Sequence, residues 1–296
     1  MGTVTKKYRL NQKVKDDLFN VDSLHQYDLC LELGRDGFRV CIVDTQQSRC
    51  LWLEDYRFSS VVFTEQLLSQ LQQIYDEHPV LRAGFWKCVR VAVRNQPYTL
   101  VPGSLFKREN ADQYLSLLRD ETPSEPEQTQ HYHHPNRDIV SIFPLETTVG
   151  DWFQRAYPSL NVKFVHQSSA FIEGVVQNGT HAQPRSVYVY AEDSYLTVVV
   201  TREEGLEFCN TFFYASAPDF VYYVLFVMNE LKMHSETSRV LLYGALTHDS
   251  AVFEHLYKYI RHVSFGTKPK SLRFSYSFDE VLDHQYFSAY TTYLCE

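Results

Sequence analysis

Leu29-Cys-Leu-Glu-Leu-Gly-Arg-Asp-Gly-Phe-Arg-Val-Cys-Ile-Val43 decides the fold. Leu29–Leu33 reads as a strand. Gly34-Arg35-Asp36-Gly37 then makes a tight turn, with left-handed backbone open to both glycines. Phe38–Val43 alternates as the returning strand. Outward from this hairpin, Cys50–Phe58 alternates again, with Leu51, Leu53 and Tyr56 against polar neighbours, and completes a three-stranded meander. Thr64 is placed to cap a helix whose apolar stripe is Leu67, Leu68, Leu71, Ile74 and Tyr75. His78-Pro79 ends that helix, and Lys87–Val93 is a fourth strand.

The same succession returns later in the chain. Ser186–Tyr190, Tyr195–Val200 and Leu206–Tyr214 are strands, separated by turns at Glu192-Asp-Ser194 and Arg202–Gly205. Pro218 and Asp219 start a helix that runs to about Lys232. That helix is apolar nearly all round, which predicts burial. Arg239–Leu246 (strand), Ala251–Tyr259 (helix) and Ile260–Phe265 (strand) complete a β-β-β-α-β-α-β unit. Its first five elements match the first half, so an internal duplication is expected although the two sequences barely agree. Between the units, Arg137–Phe143 and Val162–Val165 read as strands, and Thr147–Ala156 and Ser168–Val176 as helices. The expected organisation is a polar arm over 1–26, a first lobe over 27–178 and a second over 179–296. The first lobe carries an insertion and a mobile Pro/Glu/Gln/His-rich loop near 120–136.

Composition narrows the function. The 296 residues include 11 glycines and 44 aromatics (3 Trp, 21 Tyr, 20 Phe). Average glycine usage of about 7% would give about 20. Glycine-poor chains have few turns that let backbone N–H groups approach a phosphate. The formal charge of −8 weighs against nucleic-acid binding, which needs a basic surface. No signal-like segment or membrane-length apolar run occurs, so a cytoplasmic protein without a membrane partner is expected. The six cysteines form no Cys-x-x-Cys pair and suit a reducing compartment as small core residues.

The duplicated arrangement resembles the actin-like ATPase superfamily of Hsp70, sugar kinases and pilus and cell-division actin homologues. That resemblance implies an α/β, two-lobed, duplicated ribonuclease-H-like fold with mixed sheets flanked by helices. More narrowly, the chain resembles an uncharacterised bacterial domain-of-unknown-function family, number 3822. The residues that carry this are Leu29–Gly34 with Phe38, Tyr98-Thr-Leu-Val-Pro102 with Leu105-Phe106, and Asn210-Thr-Phe-Phe-Tyr214. Asp219–Phe226, Gly244 and Tyr257–Ile260 add to them.

The superfamily resemblance implies two phosphate-clasping hairpins, each with Asp-x-Gly, and a Gly-Gly turn for adenosine. Here the first hairpin offers Glu32, Gly34, Arg35 and Asp36, with Arg35 able to face a phosphate. In the second, Tyr188 and Tyr190 stand where aspartate and glycine belong, with Glu192 and Asp193 following. The adenosine turn keeps only Gly244. Losing the close backbone approach and the metal-associated carboxylate removes most of what phosphoryl transfer relies on. The expected role is therefore non-catalytic: a scaffold or adaptor for a protein partner, with no cofactor or metal. The cleft or the insertion at about 95–165 would be the docking surface. The alternative is a divergent ATP- and Mg-dependent kinase or hydrolase using Glu32, Asp36 and Glu192 or Asp193.

Weaker motifs are His131-Tyr-His133-His134, three imidazoles that could meet a metal, and Thr247-His-Asp-Ser250. In the latter, Asp249 or Ser250 is expected to cap a helix rather than complete a triad. Tyr98, Phe106 and Tyr114 are expected to be exposed contacts. The aromatics of the Pro218 helix are expected in the core.

Overall fold

The structure, a computed structural model, describes residues 7–59, 61–94, 97–119, 123, 125–179, 185–203 and 205–296. In chain order the elements are β1 (Tyr8–Lys15), β2 (Tyr27–Gly34), β3 (Gly37–Asp44), β4 (Arg49–Phe58), α1 (Thr64–Glu77), β5 (Cys88–Val93) and β6 (Thr99–Pro102). These are followed by α2 (Ala111–Ser116), β7 (Glu127–His133), β8 (Ile139–Glu146), α3 (Thr147–Ala156), β9 (Lys163–His166) and α4 (Gln167–Asn178). The chain continues through β10 (Arg185–Ala191), β11 (Tyr195–Arg202), β12 (Gly205–Phe213), α5 (Ala217–Glu230) and β13 (Arg239–Gly244). It ends with α6 (Ala251–Tyr259), β14 (His262–Phe265) and α7 (Phe287–Thr291).

Two compact units result. The first is the chain up to Ala170 with Leu272–Phe278 and Thr292–Glu296; the second is Phe171–Ser271 with Asp279–Thr291. The first unit's main sheet has the order β1-β4-β3-β2-β5-β9, and the second unit's sheet the order β12-β11-β10-β13-β14. Each is an antiparallel meander continued by parallel strands. After β1 is set aside, the two strand orders coincide. The match goes further than the five shared elements read from the sequence, because α3 and β9 supply the last two after an interruption. That interruption is the insertion, an antiparallel sheet of order β6-β8-β7 with α2.

Strand periodicity sets the cores. In the first unit, Leu29, Leu31 and Leu33 of β2 join Phe38, Val40 and Ile42 of β3 and Val89, Val91 and Val93 of β5. Leu71, Ile74 and Tyr75 of α1 and Phe153 of α3 cover that face. In the second unit, Val187, Val189, Val198, Val240 and Leu242 pack with Phe220, Val224 and Leu256 from α5 and α6.

Four expectations are corrected. Residues 8–15 of the expected arm are strand β1, paired with β4. Their polarity is that of an edge strand whose outer face meets solvent; Lys13 reaches Glu54 at 2.8 Å and Asn11 reaches Asp55 at 2.9 Å. Glu127–His133 of the expected loop is another polar edge strand, held to the apolar β8; residues 120–122 and 124 lie outside the described residues. Thr64 is not the cap of α1. Phe63 occupies that position, and Gln66 Oε1 accepts the N–H groups of Val62 and Phe63 at 2.8 and 3.2 Å. Finally, α5 is not buried all round: Phe220, Val221, Val224, Val227 and Met228 face the sheet, whereas Tyr222 and Phe226 are exposed.

Candidate functional site

The hairpin β2–β3 carries the first set of expected site residues. On β2, the leucines take one face and Asp28, Cys30, Glu32 and Gly34 take the other. Glu32 stands directly opposite Arg39 in the ladder. Its Oε2 accepts from Arg39 Nη1 at 3.0 Å, and Arg39 Nε donates to Asp55 Oδ1 at 3.3 Å. All three are buried, so this is a buried charge network spanning β2, β3 and β4.

The Arg35 guanidinium, expected to be able to face a phosphate, is engaged by groups of its own unit. Nη1 donates to Val62 O and Nη2 to Glu146 Oε1, both at 2.7 Å. Glu146 Oε2 in turn accepts the Thr64 hydroxyl at 2.6 Å. The same Thr64 whose capping role failed therefore helps to tie the turn to α1 and to the end of β8. Asp36 pairs with Arg94 Nη2 at 3.0 Å and lies 3.6 Å from Arg57 Nη1. Arg94, 2% exposed, also donates to Gly37 O at 3.1 Å. A Cβ on Gly34 would lie 2.6 Å from Asp36 Oδ1 and 3.2 Å from the Arg94 guanidinium. The glycine makes room for this ion pair. The hollow bounded by Gly34, Arg35, Arg94 and Glu146 holds about 20 Å³, the room of a water molecule.

The second set sits together in the other unit. Ala191, at the end of β10, is paired with Gly244, at the end of β13. Gly244 has φ = +91°, and a Cβ there would lie 2.0 Å from Ala191 O; this is why β13 stops at 244 and not at Leu246. Glu192 is buried in the β10–β11 turn and Asp193 is exposed. The turn is closed by Glu192 N–H to Tyr195 O at 2.8 Å, and the Tyr214 hydroxyl donates to Glu192 O at 2.6 Å.

Tyr188, Tyr190 and Tyr243 are all buried. Phe171 of α4 lies edge-on to Tyr190 and Tyr243, with ring centroids at 5.2 and 5.5 Å. Phe287 of α7 lies 4.4 Å from Tyr243. A Cβ on Gly266 would fall 2.1 Å from the Tyr243 ring, so that glycine is where the ring lies. Burial pushes the Tyr243 phenol well above its usual range. The phenol therefore stays protonated, and the face remains an uncharged aromatic layer.

Sequence reasoning missed Arg94, Glu146 and Arg57 in the first unit and Phe171, Phe287 and Gly266 in the second. Arg94 had a signal: a cation directly after Val91-Ala-Val93, at the carboxyl end of a central strand. The aromatic partners of Tyr190 had none, because they come from distant segments.

The remaining motifs resolve locally. His131 and His133 set their rings 5.2 and 5.3 Å from Phe106, and His134 packs against Tyr132. Among the described residues, no group of three His, Cys, Asp or Glu side chains is placed to hold a metal ion. Ser250 caps α6, its Oγ accepting from Phe253 N–H at 3.2 Å, so Thr247–Ser250 is a helix start. Tyr98, Phe106 and Tyr114 are half-buried rather than exposed. Tyr98 stacks on His166 at 4.3 Å, and the other two pack on the small core of the insertion.

A meander continued by parallel strands, occurring twice with the same strand order, defines the actin-like ATPase fold. A Bacteroides thetaiotaomicron protein described as having an actin-like ATPase fold and unknown function superposes with a TM-score of 0.73 at 20% identity, covering 84% of this chain and 94% of that one. PilM in the PilM–PilN type IV pilus biogenesis complex gives 0.57 at 10% identity, covering 90% and 98%. The ethanolamine utilization protein EutJ from Carboxydothermus hydrogenoformans gives 0.51 at 10%, covering 96% and 93%. No curated protein matches the sequence. Residues 16–263 match the family described as protein of unknown function DUF3822, and the chain belongs to that family.

Proposed function

We propose that this protein is a non-catalytic actin-fold scaffold or adaptor that binds a protein partner. The observation that carries the reading is the engagement of Arg35. For the turn to receive a phosphate, Arg35 would have to leave Glu146 and Val62 O, and Asp36 would have to leave Arg94. Each exchange leaves a partly buried charge without its partner. The aromatic layer around Tyr190 supports the same reading, because a phenol ring occupies the position where the resemblance asks for a bare backbone. The pilus protein PilM shares the fold and is found in a complex with PilN, which supports a partner-binding role for this architecture.

The insertion is the docking surface we favour. Leu105, Leu117 and Leu118 are 65%, 84% and 48% exposed. The Tyr114 hydroxyl, donating to Leu105 O at 2.8 Å, fixes that loop beside α2.

Binding of a ligand raises stability by RT ln(1 + [L]/Kd). Millimolar Mg-ATP is expected to leave the melting temperature unchanged, and a rise of several degrees would overturn the non-catalytic reading. A protein that copurifies with the wild-type chain is expected to be lost from Leu117→Asp. Its retention would remove the insertion as the docking surface.

A further inference from the structure

Strand β12 is the outer strand of its sheet, and its backbone directions can be read from its neighbours. Tyr214 N–H bonds Ser194 O at 3.0 Å, one step beyond the pair Tyr195–Phe213. In an antiparallel ladder, hydrogen-bonded and non-bonded pairs alternate. Phe212, Asn210 and Phe208 therefore exchange bonds with β11, and the backbone groups of Cys209, Thr211 and Phe213 point to the outer edge. Two contacts agree. The hydroxyls of Thr197 and Thr211 meet at 2.8 Å, as side chains of a close non-bonded pair do, and Thr211 N–H is taken by Asn210 Oδ1 at 2.9 Å rather than by β11.

We propose that β12 pairs antiparallel with β12 of a second copy of this chain across a two-fold axis through Asn210. That register places Asn210 beside the partner's Asn210, so the amide that now holds the Thr211 N–H turns to its mate. It sets Phe208 against the partner's Phe212, and Cys209 against the partner's Thr211. Sliding by two residues either way would set the Asn210 amide against a phenyl ring, Phe208 in one direction and Phe212 in the other.

The charge pattern fits a like chain. Each copy carries −8, yet the only charge in β12 is Glu207, which Arg185 of its own chain holds at 2.5 and 2.6 Å. In this register Glu207 faces the partner's Phe213, so no like charges meet across the seam. Phe213, 59% exposed, is covered at the same time. A long edge strand rich in aromatics is the kind that natural proteins cover or pair.

Sedimentation and light scattering over a concentration series should find a dimer for the wild type. Asn210→Lys puts two ammonium groups across the axis and should give monomers. Thr211→Pro removes an outward N–H that β11 does not use and should do the same, with a melting temperature that shows the fold intact. Asn210→Cys should form a disulfide-linked dimer under mild oxidation, since Cα atoms of such a pair sit about 4.5 Å apart. A wild type that stays monomeric overturns the proposal, even if it captures a strand of another protein. So does a dimer that Asn210→Lys and Thr211→Pro both leave intact, or an Asn210→Cys chain that does not cross-link.

Discussion

At the scale of single residues, the acid that invites a catalytic interpretation is one half of a buried ion pair. Glu32 sits on a central strand beside a glycine turn, where a phosphate-associated carboxylate belongs by resemblance. Its Oε2 nevertheless belongs to Arg39, and both side chains are buried. Removing one partner of a buried pair leaves an uncompensated charge and costs about 3 kcal/mol or more. Glu32→Ala is therefore expected to lower stability by about 3 kcal/mol in urea unfolding. Arg39 retains Asp55 at 3.3 Å, so the loss should stop short of complete unfolding. Unchanged stability would mean that the network does not hold the sheet. Any activity assay of this variant must be read against that loss.

At the scale of elements, α5 shows what periodicity can and cannot tell. Its sequence, Ala217–Glu230, is so apolar that no polar stripe marks the solvent side, and burial all round was the natural expectation. The sheet decides instead, because it offers one face. Phe220 and Val224 lie on that face, while Tyr222 and Phe226 stack on each other at 6.0 Å outside it. Phe220→Ala is expected to cost about 3–5 kcal/mol by opening a cavity. Phe226→Gln should change stability by no more than about 0.5 kcal/mol. Denaturant midpoints measured on both variants check the assignment, and comparable losses would place Phe226 in the core.

The same limit explains the other misses. α3 and α6 were legible to the residue, since helix signals such as the Ser250 cap of α6 are local. β1 and β7 were not, because an edge strand exposes one flank and reads as polar loop until its partner is known. At the candidate site, the glycine shortage and the Tyr188 and Tyr190 substitutions were visible in the sequence. The partners that immobilise Arg35 were not, because Glu146 lies 111 residues away.

At the scale of the whole molecule, perturbed ionisations make stability depend on pH in two ranges, one set by histidines of both units and one by carboxylates of the first. In the second unit, His284 stacks on Phe265 at 4.2 Å and donates Nε2–H to Leu246 O at 2.8 Å. Burial holds its ring below the ordinary 6.5, with His248 acting the same way and Leu246 O and Asp283 opposing. The unfolded chain therefore takes up this proton first. The stabilisation is complete above about pH 6.5 and drains as pH falls through the lower folded value.

In the first unit, burial disfavours the charged forms of Glu54 and Asp16, but hydrogen bonds outweigh it. His78, Lys13 and Tyr56 hold Glu54 below its ordinary 4.5, and Arg49 with the Leu18 N–H holds Asp16 below 3.8. His78 Nδ1 accepts Leu81 N–H at 3.2 Å, which leaves Nε2–H to donate to Glu54 at 2.9 Å. These contributions are complete above about pH 4.5 and are lost only below it. Trp52, Trp86 and Trp152 all belong to the first unit, so their fluorescence follows that unit alone while circular dichroism follows both. Burial and His133 likewise hold His131 of the first unit below 6.5. Between pH 7 and about 5, both the circular-dichroism and the tryptophan denaturant midpoints are therefore expected to fall. Below about pH 4.5 the tryptophan midpoint should fall further. His284→Gln should reduce the first shift seen by circular dichroism, His131→Gln should reduce the one seen by tryptophan, and Glu54→Gln should flatten the second. A first shift that both histidine variants leave unchanged would mean that neither ring titrates differently in the folded chain.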